Sequence, residues 1–270
     1  MTHPPTPETP SDRHFGEQGA RLTYGSYLRV AELLEQQQLE SDPPAHDELL
    51  FITIHQVYEL WFKQLLHELT AVRDAMFKGN LWWARHLLAR VDTIEQVLIQ
   101  QVGVLETMTP QDFLAFREKL SPASGFQSVQ FRELEFLSGA KDATYLERFR
   151  GLSPDERQRL TTRLEEPSLW DAFLHVLRSA GLPAGDDEEV LSSLLRVAYD
   201  RPTYGEVWEL AERLLDHDEN ARLWRSRHVT MVERQIGTKS GTGGSTGAPY
   251  LRSRLGMHYY PLFWELRSRL

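Results

Sequence analysis

Residues 46–69 read HDELLFITIHQVYELWFKQLLHEL, a long apolar run without Gly or Pro. As a helix it places Phe51, His55, Tyr58 and Phe62 along one face, spaced i, i+4, i+7, i+11. Thr53, Gln56, Lys63 and His67 form a narrower polar stripe. The pattern predicts a mostly buried helix that carries an imidazole inside its apolar face. A buried imidazole needs a partner, because an unpaired polar group away from water costs about 1–3 kcal/mol. His55 is therefore either a core histidine bonded to a backbone carbonyl or a polar group aimed at a ligand.

Working outward, Gly79-Asn80 marks a turn, and residues 81–108 give a second long helix. Leu87, Val91, Ile94, Leu98, Gln101, Leu105 and Met108 form a heptad seam broken only by Gln101. Two apolar helices joined by a short turn predict an antiparallel pair, the start of a bundle. Thr109-Pro110 opens a further helix with Phe113 and Arg117 one turn apart on one face. Pro122 and Gly125 then interrupt the chain, and SGFQSVQFRELEFL is expected to begin a helix at Ser124 or Gly125. Upstream, Thr23 caps a helical face of Tyr24, Tyr27, Leu28, Ala31 and Leu34. That short helix ends before Ser41-Asp42-Pro43-Pro44 and suits docking on a neighbouring subunit. Residues 140–200 carry dense charge and separately capped short helices. Ser153 with Glu156 is a capping box and Ser168 a further cap; this stretch is expected to be a small inserted helical subdomain. A helix from Asp216 presents Trp224, His228 and Met231 on one face and stops at Gly237. A loop of Gly, Ser and Thr, 239–249, follows. With no alternating pattern beyond four or five residues, the fold class is all-α. Residues 1–18, Pro-rich and polar, are expected to be a disordered arm before a single domain over 19–270.

Composition narrows function. The 270 residues carry a net charge of −9, which argues against nucleic acid as the main partner. No cysteine is present, so disulfides, thiolate catalysis, iron–sulfur clusters and thioether haem attachment are excluded. The absence fits a cytoplasmic protein. No apolar run approaches the roughly 18 residues of a membrane span. No His has Glu three residues before it, so a di-iron bundle fails, and His-Glu-x-x-His is absent. The Gly-rich loop lacks the Gly-Lys-Ser/Thr end of a phosphate loop. It is either a flexible linker or a set of N–H groups and hydroxyls able to close on a carboxylate. Arg117, on the face of Phe113, is either a surface ion-pair residue or a two-pronged carboxylate clamp. An aromatic wall with one fixed cation suits an aromatic amino acid. His55 and His228, far apart in sequence, allow one imidazole on a metal or haem iron and one on a ligand.

LTYGSYL (22–28), the 46–64 stretch, MTP with FLAFRE (108–118), SGFQS (124–128), RHVTMVERQIG (227–237) and GTGGSTG (241–247), in this order, resemble the bacterial-type tryptophan 2,3-dioxygenase family. The resemblance runs from about residue 20 to the C-terminus and is weakest in 140–200. It implies an all-α homotetramer built around a haem pocket, with one haem b per subunit. It also implies cleavage of the indole C2–C3 bond of L-tryptophan by O2 to N-formyl-L-kynurenine, the first step of the kynurenine pathway. On this basis His228 is the expected axial haem ligand and His55 accepts the indole N–H. Phe51 lines the indole pocket, Phe113 and Arg117 face the substrate, and Arg117 holds its carboxylate. Thr242 binds the ammonium and carboxylate, and Ser124 and Gly125 lie at the haem edge. Tyr24, Tyr27 and Leu28 are expected to reach in from a neighbour. Some relatives have Tyr where Phe113 stands, and Phe113 lacks that hydroxyl. A haem oxygenase for another aromatic substrate and a non-catalytic haem sensor are the alternatives.

Overall fold

The computed structural model describes residues 22–148, 151–242 and 247–270, which are helical with no strand among them. The expected arm, 1–18, lies outside the described residues. The chain divides into two compact units between Leu39 and Glu40. In the first unit, α1 (Tyr24–Leu28) and α2 (Val30–Leu34) take the place of one continuous helix. Thr23 caps α1 as expected, accepting from the Ser26 N–H. The break falls at Arg29, held in the left-handed region at φ 52°. No Gly or Pro announces it, and such backbone costs an L-residue about 1–2 kcal/mol. Neither helix buries a residue.

The second unit is built on three long helices. α3 (Glu48–Phe77) ends in a turn through Gly79, at φ 70°, and the Asn80 side chain caps α4 (Leu81–Leu105). Arg90 donates to Glu68 at 2.9 Å, Tyr58 O–H to the Leu98 carbonyl at 2.9 Å, and Gln101 Nε2 to the Ile54 carbonyl at 3.2 Å. One number rises as the other falls, so α3 and α4 are antiparallel, as expected. The same bonds explain Gln101: the break in the seam reaches a carbonyl of the facing helix, while its six apolar companions are buried.

α5 (Pro110–Arg117) starts at Thr109 in a capping box with Asp112. Ser124 caps only a single 3₁₀ turn, Gly125–Gln127; α6 (Val129–Ser138) begins later, capped by Ser128. Two serines four residues apart both offer a capping hydroxyl, and the one beside the apolar run starts the α-helix. α7 (Thr144–Arg148), α8 (Pro154–Glu165), α9 (Leu169–Ser179) and α10 (Asp187–Tyr199) follow, with capping boxes at Ser153 and Ser168. α9 and α10 put Phe173, Leu177, Leu191 and Leu194 into the core shared by α3 and α4, while Tyr145 and Leu160 of α7 and α8 close a smaller cluster on Phe136.

α11 (Arg201–Ile236) is far longer than the helix expected from Asp216. Asp200 caps it, Pro202 occupies its first turn and Tyr204 bends it. Its early apolar residues, Val207, Leu210, Ala211 and Leu214, are buried at helical spacing among many charges, which mask the pattern. His217 meets Glu95 at 2.6 Å, Arg227 meets Glu106 at 2.8 Å, and Gln235 reaches the Met108 carbonyl at 2.8 Å. Here both numbers rise together, so α11 runs parallel to α4 and antiparallel to α3. α12 (Ala248–Ser253) and α13 (Pro261–Arg269) complete the chain. Buried Asp218 anchors α13 by accepting from the Tyr259 and Tyr260 N–H groups and from Trp264 Nε1. No described helix is long and apolar enough to cross a membrane.

The α4–α11 contact holds a fully buried polar set. His217 Nδ1–H donates to Glu95, and its Nε2 meets the Ser138 hydroxyl at 2.9 Å. Burial pushes the Glu95 carboxyl up, and His217 pulls it back down. Removing one member of such a pair strands the other away from water. Glu95→Ala is therefore expected to cost about 3–5 kcal/mol of stability, read as a lower midpoint in thermal unfolding. An unchanged midpoint would show that the pair contributes nothing.

Candidate functional site

Opposite directions of α3 and α11 bring the first half of one beside the last turns of the other. A second apolar cluster closes this end of the bundle. Ile54, Val102, Leu105, Met108, Phe116 and Met231 are buried in it, and Phe51, Phe113, Tyr58 and Trp224 pack on its edge. His55 stands close enough to His228 that its charge opposes protonation of His228.

The two imidazoles differ in their surroundings. His55 Nδ1 lies 2.7 Å from the Phe51 carbonyl, which can only accept. Nδ1 therefore carries the proton and Nε2 presents a bare lone pair. His55 is exposed by surface area, yet burial is the largest cause holding its pKa below the usual value. A ring standing in a recess, open to a small molecule and enclosed by protein, satisfies both facts. His228 is neutral at physiological pH: burial, and then His55, bring its pKa down to about 4. Its ring lies flat on Trp224, 5.1 Å between centroids at 7°.

On the His55 side an aromatic wall leads to a cation. Phe51 packs on His55 at 4.1 Å and stacks on Phe113 at 5.7 Å. Phe116, fully buried, meets both phenylalanines edge-on. One turn beyond Phe113, Arg117 forms no ion pair among the described residues and donates to the Ser240 carbonyl. The glycine loop is thereby docked on the segment after α5. Thr242 Oγ1 donates to the Ala123 carbonyl at 2.7 Å, and the Ser121 hydroxyl reaches the Thr242 carbonyl at 3.5 Å. Gly247 fits only without a side chain, since a Cβ would sit 2.6 Å from the Lys239 carbonyl oxygen. Residues 243–246 lie outside the described residues. Ser124 accepts from the Phe126 N–H as the cap of its turn. Gly125 has no neighbour within 4 Å of an added Cβ, so packing within the chain does not demand glycine there.

The structure thus packs His55, Phe51 and Phe113 together, puts Arg117 one turn beyond Phe113, docks the loop of Thr242 on Ala123 next to Ser124, and brings His228 near His55. Tyr24, Tyr27 and Leu28 belong to the first unit and are 79%, 72% and 45% exposed. The sequence reading missed Phe116, the Tyr58–Trp224 contact and the backbone carbonyls of Ser240 and Ala123. Phe116 was legible as the second aromatic of FLAF; the carbonyls carry no sequence signal.

Chemically, the arrangement offers one neutral imidazole without a hydrogen-bond partner among the described residues, near a second imidazole able to accept, with an aromatic wall and a guanidinium on the second one's side. Among the described residues no cluster of three or more His, Asp or Glu side chains could cage a metal ion. The donor set instead suits an iron whose other ligands come with it, as in haem, with a single imidazole added by the protein.

The family model described as tryptophan 2,3-dioxygenase matches residues 9–192 and 191–270. A tryptophan 2,3-dioxygenase from a Nocardioides species is 70% identical over 260 residues, covering 95% of this chain and 97% of that protein. The tryptophan 2,3-dioxygenase of Herpetosiphon aurantiacus is 46% identical, covering 92% and 98%. That of Myxococcus xanthus is 41% identical, covering 93% and 90%. With both chains of each pair matched nearly end to end, this protein belongs to the tryptophan 2,3-dioxygenase family.

Proposed function

We propose that this chain is a haem-dependent dioxygenase that opens the indole C2–C3 bond of L-tryptophan with O2, giving N-formyl-L-kynurenine. The observation that carries the reading is the pair of imidazoles brought near each other, one without a hydrogen-bond partner among the described residues and one with Nδ1 bonded to a carbonyl beside the Phe51–Phe113 wall. Haem, when bound, supplies the iron at which O2 is activated, and both oxygen atoms end in the product. His228 holds that iron, since neutral imidazole is the ligand form. Phe51, Phe113, Arg117 and Thr242 all lie on the His55 side, which makes it the substrate side.

There His55 Nε2 accepts the indole N–H, which fixes the ring's rotation. Indole N–H is a very weak acid, so His55 orients and polarises the ring and does not strip its proton. Phe51 and Phe113 form the wall, and excluding water there strengthens the polar contacts that remain. Arg117 clamps the carboxylate with the rest of its fork. The Thr242 hydroxyl proton is committed to Ala123, which leaves its lone pairs for the substrate ammonium. Ser124 and Gly125 would help hold the haem, and no protein atom lies within 4 Å of a Cβ added at Gly125. Tyr24, Tyr27 and Leu28 complete the pocket of a neighbouring subunit in a homotetramer, which would cover three exposed apolar side chains. The enzyme works in the cytoplasm with one haem b per subunit.

Adding L-tryptophan to the ferrous, haem-loaded protein in air tests this. N-formylkynurenine is the expected product. A hydroxylated product would point to a monooxygenase on the same site, and no turnover to a sensor. Phe113→Tyr is expected to tighten tryptophan binding by about 0.5–1.5 kcal/mol, one neutral hydrogen bond to the carboxylate end. Titration of the haem-loaded variant checks it, and weaker binding would place position 113 away from that end.

A further inference from the structure

We propose that Trp224 is the positioning residue for His228, setting the rotation of the imidazole about its bond to iron; the inference rests on the haem reading above. A metal-bound histidine is ordinarily oriented by a hydrogen bond from its second ring nitrogen to a carboxylate or a backbone carbonyl. His228 has no hydrogen-bond partner among the described residues, nor any ion pair. What it has is the indole of Trp224, one turn earlier on α11, lying parallel to it at 5.1 Å and 7°. A flat ring against a flat ring leaves the imidazole free to slide within the plane and opposes its rotation out of it.

A plate positions another ring only if it is itself fixed. Trp224 is braced on two sides, tilted against Phe131 at 5.1 Å and met edge-on by Tyr58 at 6.1 Å and 74°. Tyr58 is in turn pinned by its hydroxyl bond to the Leu98 carbonyl, 2.9 Å. Burial raises the Tyr58 phenol to about 12, so it remains a donor throughout the working pH range. Beyond the plate, Trp224, Ala221, Phe62, Leu98 and Phe131 line a small buried cavity of about 40 Å³. His228 does not line it, and Ala221 and Trp224 precede His228 on the same stripe of α11. Trp224 thus borders this space on one side and stacks on the imidazole. Tyr58 lies one turn from His55, as Trp224 lies one turn from His228. One aromatic brace thus ties the residue over the substrate to the residue under the iron.

The test uses the full-length protein loaded with haemin, as wild type, Trp224→Leu and Trp224→Phe. The leucine removes the plate and the phenylalanine thins it. The readout is the pattern of hyperfine-shifted haem methyl signals in the proton NMR spectrum of the ferric cyanide adduct, which reports the imidazole plane. Both variants are expected to take up haemin to the wild-type stoichiometry. The methyl pattern should shift in Trp224→Leu and move part of the way in Trp224→Phe, with kcat falling more than KM. A wild-type pattern in both variants, or in Trp224→Phe alone should the leucine variant not fold, overturns the proposal. If wild type itself takes up no haemin, the haem reading fails first, and that outcome is distinct.

Discussion

His228→Ala is expected to leave a folded helical protein that no longer captures haem. After incubation with haemin and gel filtration it should show no Soret band, form no N-formylkynurenine, and keep its far-ultraviolet circular dichroism. The argument is one of supply. His228 is the imidazole with no polar neighbour to compete for it, held neutral by burial. No described cluster of other donors stands by to replace it. His228 is not a member of the main core, so its loss opens no large hole there. Added imidazole, small enough to occupy the space of the missing ring, should restore part of the absorbance. His55→Ala is the matched control and should retain haem, because its ring serves the opposite face. Unchanged haem uptake by His228→Ala, or haem loss confined to His55→Ala, would reverse the two assignments.

The parts of this site legible in sequence were those written as helical periodicity. His55 and Phe51 sit four apart on an apolar face, and Phe113 and Arg117 do the same, so their sharing of a lining follows once the helices exist. The antiparallel α3–α4 pair was equally plain, because its seam is long and its turn is marked by Gly79-Asn80. What stayed hidden depends on contacts between segments distant in the chain. That His55 lies near His228 requires α11 to run parallel to α4, which is set by Glu95–His217, Arg227–Glu106 and Gln235–Met108. None of these pairs leaves a trace in either sequence segment alone. The first half of α11 was lost for another reason: Glu206, Glu209, Glu212 and Arg213 crowd the apolar residues between them. The turn at Arg29 was lost because its backbone is one that sequence rules assign to glycine or asparagine. The docking of the glycine loop rests on two carbonyls, Ser240 and Ala123, which every residue possesses.

Arg117→Ala is expected to weaken tryptophan binding by about 2–5 kcal/mol, roughly 30-fold to several-thousand-fold in Kd, with haem content unchanged. Three features set the size. Arg117 lies one helical turn from Phe113, which stacks on Phe51. It forms no ion pair among the described residues, so no carboxylate of the protein's own must be displaced. Its one bond among the described residues, to the Ser240 carbonyl, holds the loop that carries Thr242. The alanine variant therefore loses a direct charge-assisted bond and also the tether that presents a second polar group. Arg117→Lys separates the two, because lysine keeps the charge and lacks the planar fork. It should fall between wild type and alanine in affinity. Since the carboxylate is remote from C2–C3, contact energy there serves to hold the indole in place, and kcat should fall together with affinity. Indole-3-propionate, which keeps the carboxylate and lacks the ammonium, should be weakened by Arg117→Ala as tryptophan is. Tryptamine, which lacks the carboxylate and keeps the ammonium, should lose only the smaller part that comes from the tether to the Thr242 loop. If tryptophan bound Arg117→Ala as tightly as wild type, or if tryptamine lost as much as tryptophan, the guanidinium would have no carboxylate to hold and would serve only to tether the loop.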